Sequence, residues 1–388
     1  MRVGLIMHHY DVRRGGVERY TDTLVRALLD AGHEVHVIAS SAEGLPAGAV
    51  FHPVASRTFW SPVKTLSFAA GVARVLDRER GTMDAVLGLT RTPRQDVYRV
   101  GAGSHWAHLR STKPWIANSA GAALIRLNPR HAAFLAMDRW IMNGWRTGRT
   151  LRYLCNSRKV REEIIAEYGV PSDRIDVLHN PVDLARFDPD RERPAREETR
   201  RALGVPAGET VALFSGSGWH RKGLDAAIRA VAASRSRPRL VVAGGDEPGP
   251  YRRLAESLGV GGRVVFAGLR ADIAPVYAAA DLLLAPTRYD AFSNATAEGL
   301  AMGLPAITTE TNGAAELVAQ GREGIVVSRA TDVAALAEAL DALSDVRLRA
   351  EMGEWARKRA QSLSPAAYVE ALIKILESAV AMRREGGR

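Results

Sequence analysis

A glycine-rich loop at residues 215–223 carries the plainest chemistry in the sequence, because it combines glycines with two adjacent cations. It joins a predicted strand to a predicted helix, so its backbone can approach a ligand closely and the helix N-terminus presents N–H groups to an anion. Arg221 and Lys222 add positive charge there. We therefore predict a diphosphate site, although neither a Walker loop nor a G-x-G-x-x-G spacing is present. The alternative is a glycine-rich turn whose basic side chains are solvated.

Two acidic residues form a second candidate pair. Asp290 and Glu298 lie eight positions apart, and the loop 291–293 between them follows a predicted strand and precedes a helix that begins near Asn294. Without a ligand, they would simply be one acid at a helix N-terminus and one acid in mid-helix.

Both halves of the chain open with the same elements. Each begins with an apolar strand, a loop, an amphipathic helix and a second strand. Such units imply a parallel sheet with right-handed crossovers, so we predict an α/β protein with two doubly wound, Rossmann-like domains. Two such sheets facing each other would create a cleft suited to a two-substrate transferase. These opening elements are predicted at 3–7, 17–31 and 34–39, and at 211–214, 224–233 and 240–243.

The length of 388 residues also favours two domains, since one hydrophobic core stops growing near about 250 to 300 residues. We predict a first domain at 1–180, a linker rich in proline and charge at 181–194, and a second domain at 195–363. A final helix at 364–388 is expected to pack back on the first domain.

Composition excludes several protein classes. The single cysteine, Cys155, cannot form an internal disulfide, and this favours a reducing compartment. No apolar run approaches the roughly 18 to 20 residues of a membrane span, and the apolar start of the chain is too short for a signal peptide. We therefore expect a cytoplasmic protein.

The net charge of +10 is concentrated in the first half. Residues 1–180 contain 25 Lys and Arg against 16 Asp and Glu, whereas the remainder has 28 against 27. Within this half, segment 106–149 suits an anionic membrane or a phosphorylated glycolipid acceptor. The alternative is a solvated surface over core tryptophans. The basic and aromatic residues concerned are Arg110, Lys113, Arg126, Arg130, Arg139, Arg146 and Arg149, with Trp115, Trp140 and Trp145.

Several phrases of the sequence resemble retaining glycosyltransferases of family 4, which have the GT-B fold. Segment 287–308 is similar to their Glu-x7-Glu signature, with Asp290 in place of the usual first Glu. Lys222-Gly223 resembles their phosphate-binding Lys-Gly, Gly15-Gly16-Val17-Glu18-Arg19 their first glycine loop, and LHNPVD at 178–183 their hinge. The phrases VVAGGDEP, GRVVFAGLR and GSGWHRKGLDAAI are similar to the lipopolysaccharide core glucosyltransferase I branch in particular.

This resemblance implies roles for individual residues. Asp290 would sit by the donor sugar hydroxyls, Glu298 would bind the nucleotide ribose, and Lys222 and Arg221 would stabilise the leaving diphosphate. His105 occupies the place of a cleft histidine near the transferred sugar, unless it is a turn histidine or His108 takes that register. The other donor-binding residues implied are Gly15, Gly16, Gly216, Ser217, Phe292, Ser293 and Asn294.

The activity implied is transfer of a hexose, with glucose from UDP-glucose as the leading choice, to a lipopolysaccharide core or related glycolipid with an α-linkage. No Asp-x-Asp motif lies in a plausible site, so no metal or other cofactor is expected. GDP-mannose or UDP-N-acetylglucosamine are alternative donors, and an epimerase is a further alternative. A nucleic-acid-binding protein is disfavoured, because the sequence has no recognition helix, zinc pattern or aromatic RNP motif. His8 and His9 follow the first strand without an assigned chemistry.

Overall fold

The computed structural model describes residues 1–11, 16–56, 61–112, 116 and 119–386, and the chain divides into two compact units. The first unit comprises Met1–Pro181 together with Pro365–Arg388, and the second comprises Val182–Ser364. The final helix is therefore part of the first unit.

The first unit alternates strands and helices along most of its length. Asn128 caps one of its helices by accepting from the N–H groups of Arg130 and His131, and Pro129 follows at the first helical position. Its elements are β1 Arg2–Ile6, β2 His9–Asp11, α1 Gly16–Asp30, β3 Glu34–Ala39, β4 Ser41–Glu43, β5 Ala49–Pro53, α2 Ser61–Glu79, β6 Ala85–Gly88, β7 Val97–Val100, α3 His105–Thr112, α4 Ser119–Leu127, α5 Pro129–Met142, β8 Arg152–Cys155, α6 Arg158–Tyr168 and β9 Ile175–Val177.

Seven of these strands form one parallel sheet in the order β5-β3-β1-β6-β7-β8-β9, and β2 pairs with β4 separately. Strand residues such as Leu5 pack on one face with Leu24 of α1 and with Leu372 of the final helix. On the opposite face, Ile6 packs with Phe68 of α2. Helices on both faces explain why the strands are apolar along their length.

The second unit repeats this architecture. Its sheet is parallel and has the order β12-β11-β10-β13-β14-β15. The elements of this unit and the final helix of the first are α7 Pro189–Glu192, α8 Arg196–Ala202, β10 Val211–Ser215, α9 Trp219–Lys222, α10 Leu224–Ala233, β11 Arg239–Ala243, α11 Gly249–Ser257, β12 Val264–Gly268, α12 Ala274–Ala279, β13 Leu282–Ala285, α13 Asn294–Ala301, β14 Ala306–Thr309, β15 Gly324–Val327, α14 Val333–Ala342, α15 Val346–Ala360 and α16 Pro365–Gly386.

Both faces of the second sheet are also covered. Leu213 packs with Leu300 of α13 on one face, and Phe214 packs with Ile228 of α10 and Leu336 of α14 on the other. The predicted α/β fold class is confirmed, since each unit has a parallel sheet between helical layers.

The predicted linker and one edge of the first sheet differ from the sequence-based expectation. Segment 181–194, predicted to be a linker, lies within the second unit, where Val182 and Phe187 are buried in the core. Strand β5 was not predicted, because Val50 and Phe51 are both exposed and the segment lacks an alternating apolar pattern. An alternating apolar pattern is weak in a strand at the edge of a sheet.

None of the helices formed by the described residues is long and apolar enough to cross a membrane.

Candidate functional site

The two candidate segments of the second unit meet at the point where its strand order reverses. The chain runs from β10 outward through β11 and β12, then returns to place β13 on the other side of β10. Arg221 and Lys222 follow β10, and Asp290 follows β13. Parallel strands of this topology bind ligands beyond their carboxyl ends at such a reversal. The sheet therefore brings the three side chains to its ligand-binding edge.

Arg221, Lys222 and Asp290 form one compact cluster. The Arg221 guanidinium donates from Nη1 to Asp290 Oδ2 at 2.9 Å, and Lys222 Nζ donates to the same oxygen at 3.1 Å. Arg221 Nη1 also lies 2.9 Å from the carbonyl oxygen of Tyr289. The side chains of Lys222 and Asp290 are 14% and 13% exposed. One carboxylate thus holds two largely buried cations.

The charge state of this cluster follows from its surroundings. Burial alone would raise the pKa of Asp290, but the charges of Lys222 and Arg221 outweigh it and lower the pKa to about 2. Asp290 is therefore ionised at neutral pH. Two cations against one carboxylate leave a net positive charge within this cluster, as an anion-binding site requires.

The backbone of Asp290 is tied to the loop after β14. Its N–H donates to Thr311 O at 3.2 Å, and its carbonyl accepts from Gly313 N–H at 2.9 Å. Between these partners, the buried Asn312 side chain accepts from the N–H groups of Ser293 and Ala314 at 3.2 and 3.0 Å. Its amide donates to two further side chains of this unit. Asn312 therefore positions the loop that carries Asp290, and sequence reasoning missed it.

Arg288 is a second missed residue. Its guanidinium binds Asp225 through two nitrogens at 2.8 and 2.7 Å and also donates to the carbonyl oxygen of His220 at 2.7 Å. Bidentate pairs of this kind fix geometry as well as charge. Arg288 therefore joins the loop after β13 to the loop after β10. No local sequence pattern marks it, since 63 residues separate it from Asp225.

The loop 215–223 differs in one respect from the predicted diphosphate cradle. A four-residue helix, α9, intervenes before α10, and the N–H of its first residue, Trp219, donates to Asp246 at 2.6 Å. This N–H is therefore engaged by a carboxylate. Gly216 has φ 119° and lies against the Lys222 side chain, while Ser217 Oγ accepts from Gly245 N–H at 3.4 Å.

The remaining donor-side candidates lie on and before α13. Glu298 accepts a hydrogen bond from the Tyr277 hydroxyl at 2.9 Å and is partly exposed. Ser293 caps the helix by accepting from Thr296 N–H at 3.4 Å. Phe292 is buried in the core, and Asn294 is the first helical residue. In this structure, Phe292 therefore anchors the loop in the core and Ser293 caps the helix that follows it.

The candidate site residues of the first unit are Gly15, Gly16 and His105, and they come from two separate segments of the sequence. Gly15 lies outside the described residues, and Gly16 begins α1. His105 begins α3 after β7, and its Nε2 lies 3.0 Å from Nδ1 of His131. Burial and the nearby charge of Arg91 lower the pKa of His105 to about 3, so its ring is neutral at pH 7.

Gly223 gives a direct test of the loop's geometry. Its φ is +78°, and a Cβ there would collide with the carbonyl oxygen of Pro286. We expect Gly223→Ala to lower the free energy of unfolding by about 3 kcal/mol, from left-handed strain and overpacking together. Gly208 has the same φ of +78° with no atom within 4 Å of a Cβ. Gly208→Ala should therefore cost only the strain, about 1 kcal/mol. Equal losses of unfolding free energy for the two variants, measured by urea denaturation, would show that Pro286 does not constrain the loop.

Comparison with known proteins finds a glycosyltransferase family model that matches each half of the chain. The family described as Glycosyltransferase Family 4 matches residues 14–186, and the family described as Glycosyl transferases group 1 matches residues 209–345.

Individual relatives agree with these matches. Lipopolysaccharide glucosyltransferase WaaG of Escherichia coli strain K12 is 27% identical over 354 residues, covering 90% of this chain and 91% of WaaG. A crystal structure of WaaG, described as a glycosyltransferase involved in lipopolysaccharide biosynthesis, has a TM-score of 0.79 and 27% identity, covering 96% of this chain and 99% of that one. A D-inositol 3-phosphate glycosyltransferase of Corynebacterium glutamicum strain R is 32% identical over 247 residues. That match covers 60% of this chain and only 58% of the relative.

Proposed function

Because this chain belongs to glycosyltransferase family 4 and has the GT-B fold, we propose that it transfers a hexose from a nucleoside diphosphate sugar to a glycolipid acceptor. We take UDP-glucose as the donor and a lipopolysaccharide core or related glycolipid as the acceptor. The match to WaaG supports this choice, because it covers 91% of that protein, whereas the match to the D-inositol 3-phosphate enzyme covers 58% of its length.

The observation that carries the proposal is the cluster at the carboxyl ends of β10 and β13. Arg221 and Lys222 both donate to Asp290 there. A diphosphate offers several oxygens to these donors and a higher negative charge than one carboxylate. We therefore expect the donor diphosphate to accept hydrogen bonds from Arg221 and Lys222, while Asp290 turns toward the sugar hydroxyls.

The proposed reaction is a front-side displacement with retention. The acceptor hydroxyl oxygen forms a bond to the anomeric carbon on the face from which the bond to the diphosphate breaks. The hydroxyl proton passes to a donor phosphate oxygen. Negative charge builds up on the leaving diphosphate, and Arg221 and Lys222 are placed to stabilise it. Fixed charges aimed at developing charge are usually the largest catalytic contribution.

We also propose that transfer needs no divalent metal. Two protein cations near the leaving group supply the charge stabilisation for which other transferases use a metal ion. Activity should therefore persist in EDTA at the level measured without it.

Nucleotide binding tests the donor assignment. UDP should raise the melting temperature, since a ligand at 100 times its Kd stabilises the folded state by about 2.7 kcal/mol. GDP at the same concentration should shift it less. Glu298→Gln should weaken UDP binding about tenfold, through loss of a charge-assisted hydrogen bond to the ribose. Glu338, an exposed residue on α14, provides the control Glu338→Gln, which should bind UDP normally. A larger shift with GDP would instead favour a guanosine donor such as GDP-mannose.

We further propose that the first unit rests on an anionic membrane surface at the cytoplasmic face. Leu124 and Leu127 of α4 are 61% and 77% exposed, and Trp140 of α5 is 44% exposed. Exposed apolar residues beside cations suit a headgroup layer. A cavity of about 850 Å³ in the same region is lined by apolar and basic side chains, among them Trp106, Arg110, Leu135 and Trp140, and also by the acidic Glu167.

The arginines of this region stack on aromatic rings. Arg146 lies over Trp145, with 4.5 Å from its Cζ to the ring centroid, and Arg149 lies over Trp140 at 5.7 Å. Arg110 lies over Trp106 and forms an ion pair with Glu167 at 3.2 Å. This ion pair weakens the attraction of Arg110 to an anionic membrane. Lys113, Trp115 and the Arg126 side chain lie outside the described part of the structure.

Vesicle binding tests the membrane proposal. At low salt the protein should sediment with vesicles containing phosphatidylglycerol, and Leu127→Glu should weaken this at least about tenfold, because a leucine contributes about 2 kcal/mol on burial. Leu269 of the second unit is 76% exposed, so Leu269→Glu is the matched control and should bind normally. No binding by the natural protein, or equal binding by both variants, would rule out this surface.

A further inference from the structure

A second group of basic side chains lies at the strand-order reversal of the first sheet, and the proposed chemistry does not use it. The strand order β5-β3-β1-β6-β7-β8-β9 reverses between β1 and β6. His8 and His9 follow β1, and Lys64 lies near the start of α2. A reversal of this kind is the expected ligand-binding edge of the sheet.

Hydrogen bonding fixes the state of His9. Lys64 Nζ lies 3.3 Å from His9 Nε2, and His9 Nδ1 lies 2.9 Å from Ser41 Oγ. A lysine ammonium can only donate, so Nε2 must accept and the ring proton resides on Nδ1, which donates to Ser41. His9 is therefore neutral while Lys64 is charged.

Lys64 has no carboxylate within 4.0 Å among the residues that the structure describes, and its side chain is partly buried. Two of its three N–H donors remain after the bond to His9. An ammonium withdrawn from water in this way is costly unless an anion or further acceptors compensate it.

His8 lies next to His9, with 6.3 Å between the ring centroids, and has an unused nitrogen. Its ring packs on Phe68 with 4.1 Å between ring centroids, and its buried Nδ1 has no hydrogen-bond partner in the described part of the chain. Burial lowers the pKa of His8 to about 4, and the charges of Lys64 and Arg91 act in the same direction. Of these, Arg91 already pairs with Asp138 at 2.6 Å.

We propose that His8, His9 and Lys64 form a binding site for an anionic group of the acceptor, a phosphate or a carboxylate. This rests on the proposed function, since the second unit holds the proposed donor site and the first unit is left for the acceptor. The anion would accept from Lys64, and His8 would take up a proton and donate to it. Such charge-assisted bonds are about twice as strong as neutral ones. His9 is a positioning residue that holds the Lys64 ammonium.

Inorganic phosphate is the probe, and the ring signals of histidine-labelled full-length protein are the readout. We expect phosphate to shift the His8 and His9 signals, assigned with His8→Gln and His9→Gln, and to raise the pKa of His8. Lys64→Met should weaken phosphate binding at least about tenfold, as expected for loss of a charged hydrogen-bond donor. Lys64→Arg should retain binding.

Lys374→Met is the matched control, since Lys374 lies on α16 and pairs with Glu370 on the surface. It should bind phosphate normally. Unshifted His8 and His9 signals in the natural protein, or equal affinity in Lys64→Met and Lys374→Met, would overturn the site. The response of the His8 and His9 signals to phosphate in the natural protein decides the question even if Lys64→Met fails to fold.

UDP separates the two sources of a phosphate group. Saturating UDP should leave the phosphate-induced shifts of His8 and His9 in place, because the site is assigned to the acceptor. Displacement of phosphate by UDP would overturn that assignment in favour of the donor. Binding of UDP without any phosphate response would refute this site alone, whereas phosphate binding without UDP binding would refute the proposed donor.

Discussion

Replacing Lys222 by alanine is expected to lower the rate of glycosyl transfer by about 10²- to 10³-fold, because loss of one such charged donor costs about 3 to 4 kcal/mol in the transition state. The fold should persist, since Arg221 still pairs with Asp290 at 2.9 Å. The loss should fall mainly on kcat, because the charge on the leaving diphosphate increases as its bond to the sugar breaks.

The control for this variant is Lys358→Ala. Lys358 belongs to the same unit and lies on α15, where its Nζ is 5.0 Å from the centroid of the Trp355 ring. It should transfer sugar at the normal rate. A rate for Lys222→Ala within tenfold of the natural protein would remove Lys222 from the proposed chemistry.

The second large effect is expected for Asp290→Asn, which leaves Arg221 and Lys222 without their carboxylate. Breaking a buried ion pair from one side costs about 3 kcal/mol or more. Transfer should also fall sharply, since Asp290 is proposed to hold the donor sugar. Saturating UDP should recover part of the lost stability, because the diphosphate supplies the missing negative charge. We would measure thermal unfolding with and without UDP.

The matched control is Asp272→Asn in the same unit. Asp272 is 62% exposed and pairs with Arg186 at 3.2 Å. Exposed pairs contribute about 0 to 1 kcal/mol, so this variant should unfold almost as the natural protein does. If the two variants lost equal stability, the buried cluster would not have the energetic role assigned to it.

The pH dependence has a definite sign. The pKa of Asp290 is about 2 in the folded protein and about 3.8 in the unfolded chain. The ionised Asp290 therefore contributes its full stabilisation above pH 3.8, and this stabilisation is lost as the pH falls toward 2. Asp290→Asn should lack this part of the acid dependence.

The core elements of the second unit could be predicted because their patterns are strong. Leu224, Ala227, Ile228 and Val231 are all fully buried along α10, as their spacing of three and four indicates. The predicted strands 211–214 and 282–285 are uninterrupted apolar runs, as is typical of parallel sheets between two helical layers.

The parts that were missed depend on tertiary contacts. Strand β5 was missed because Val50 and Phe51 are exposed, so the segment lacks the pattern of a buried strand. No local sequence pattern indicates that the N–H of Trp219 donates to Asp246. Asn312 and Arg288 position the site through partners 19 and 63 residues away. By contrast, Arg221, Lys222 and Asp290 were all selected as candidates from the sequence, and the structure brings them together because the carboxyl ends of the adjacent strands β10 and β13 meet at one edge.

Transfer itself, with determination of the anomeric configuration, is the most direct test of the proposed function. The full-length protein would be incubated with UDP-glucose and a lipopolysaccharide core lacking its outer glucose, beside GDP-mannose and UDP-N-acetylglucosamine. Mass spectrometry would identify the added sugar, and NMR would give its linkage. We predict one hexose from UDP-glucose in an α-linkage, lost in Lys222→Ala and retained in Lys358→Ala. A β-linked product, or transfer that does not depend on Lys222, would contradict the proposed site and mechanism.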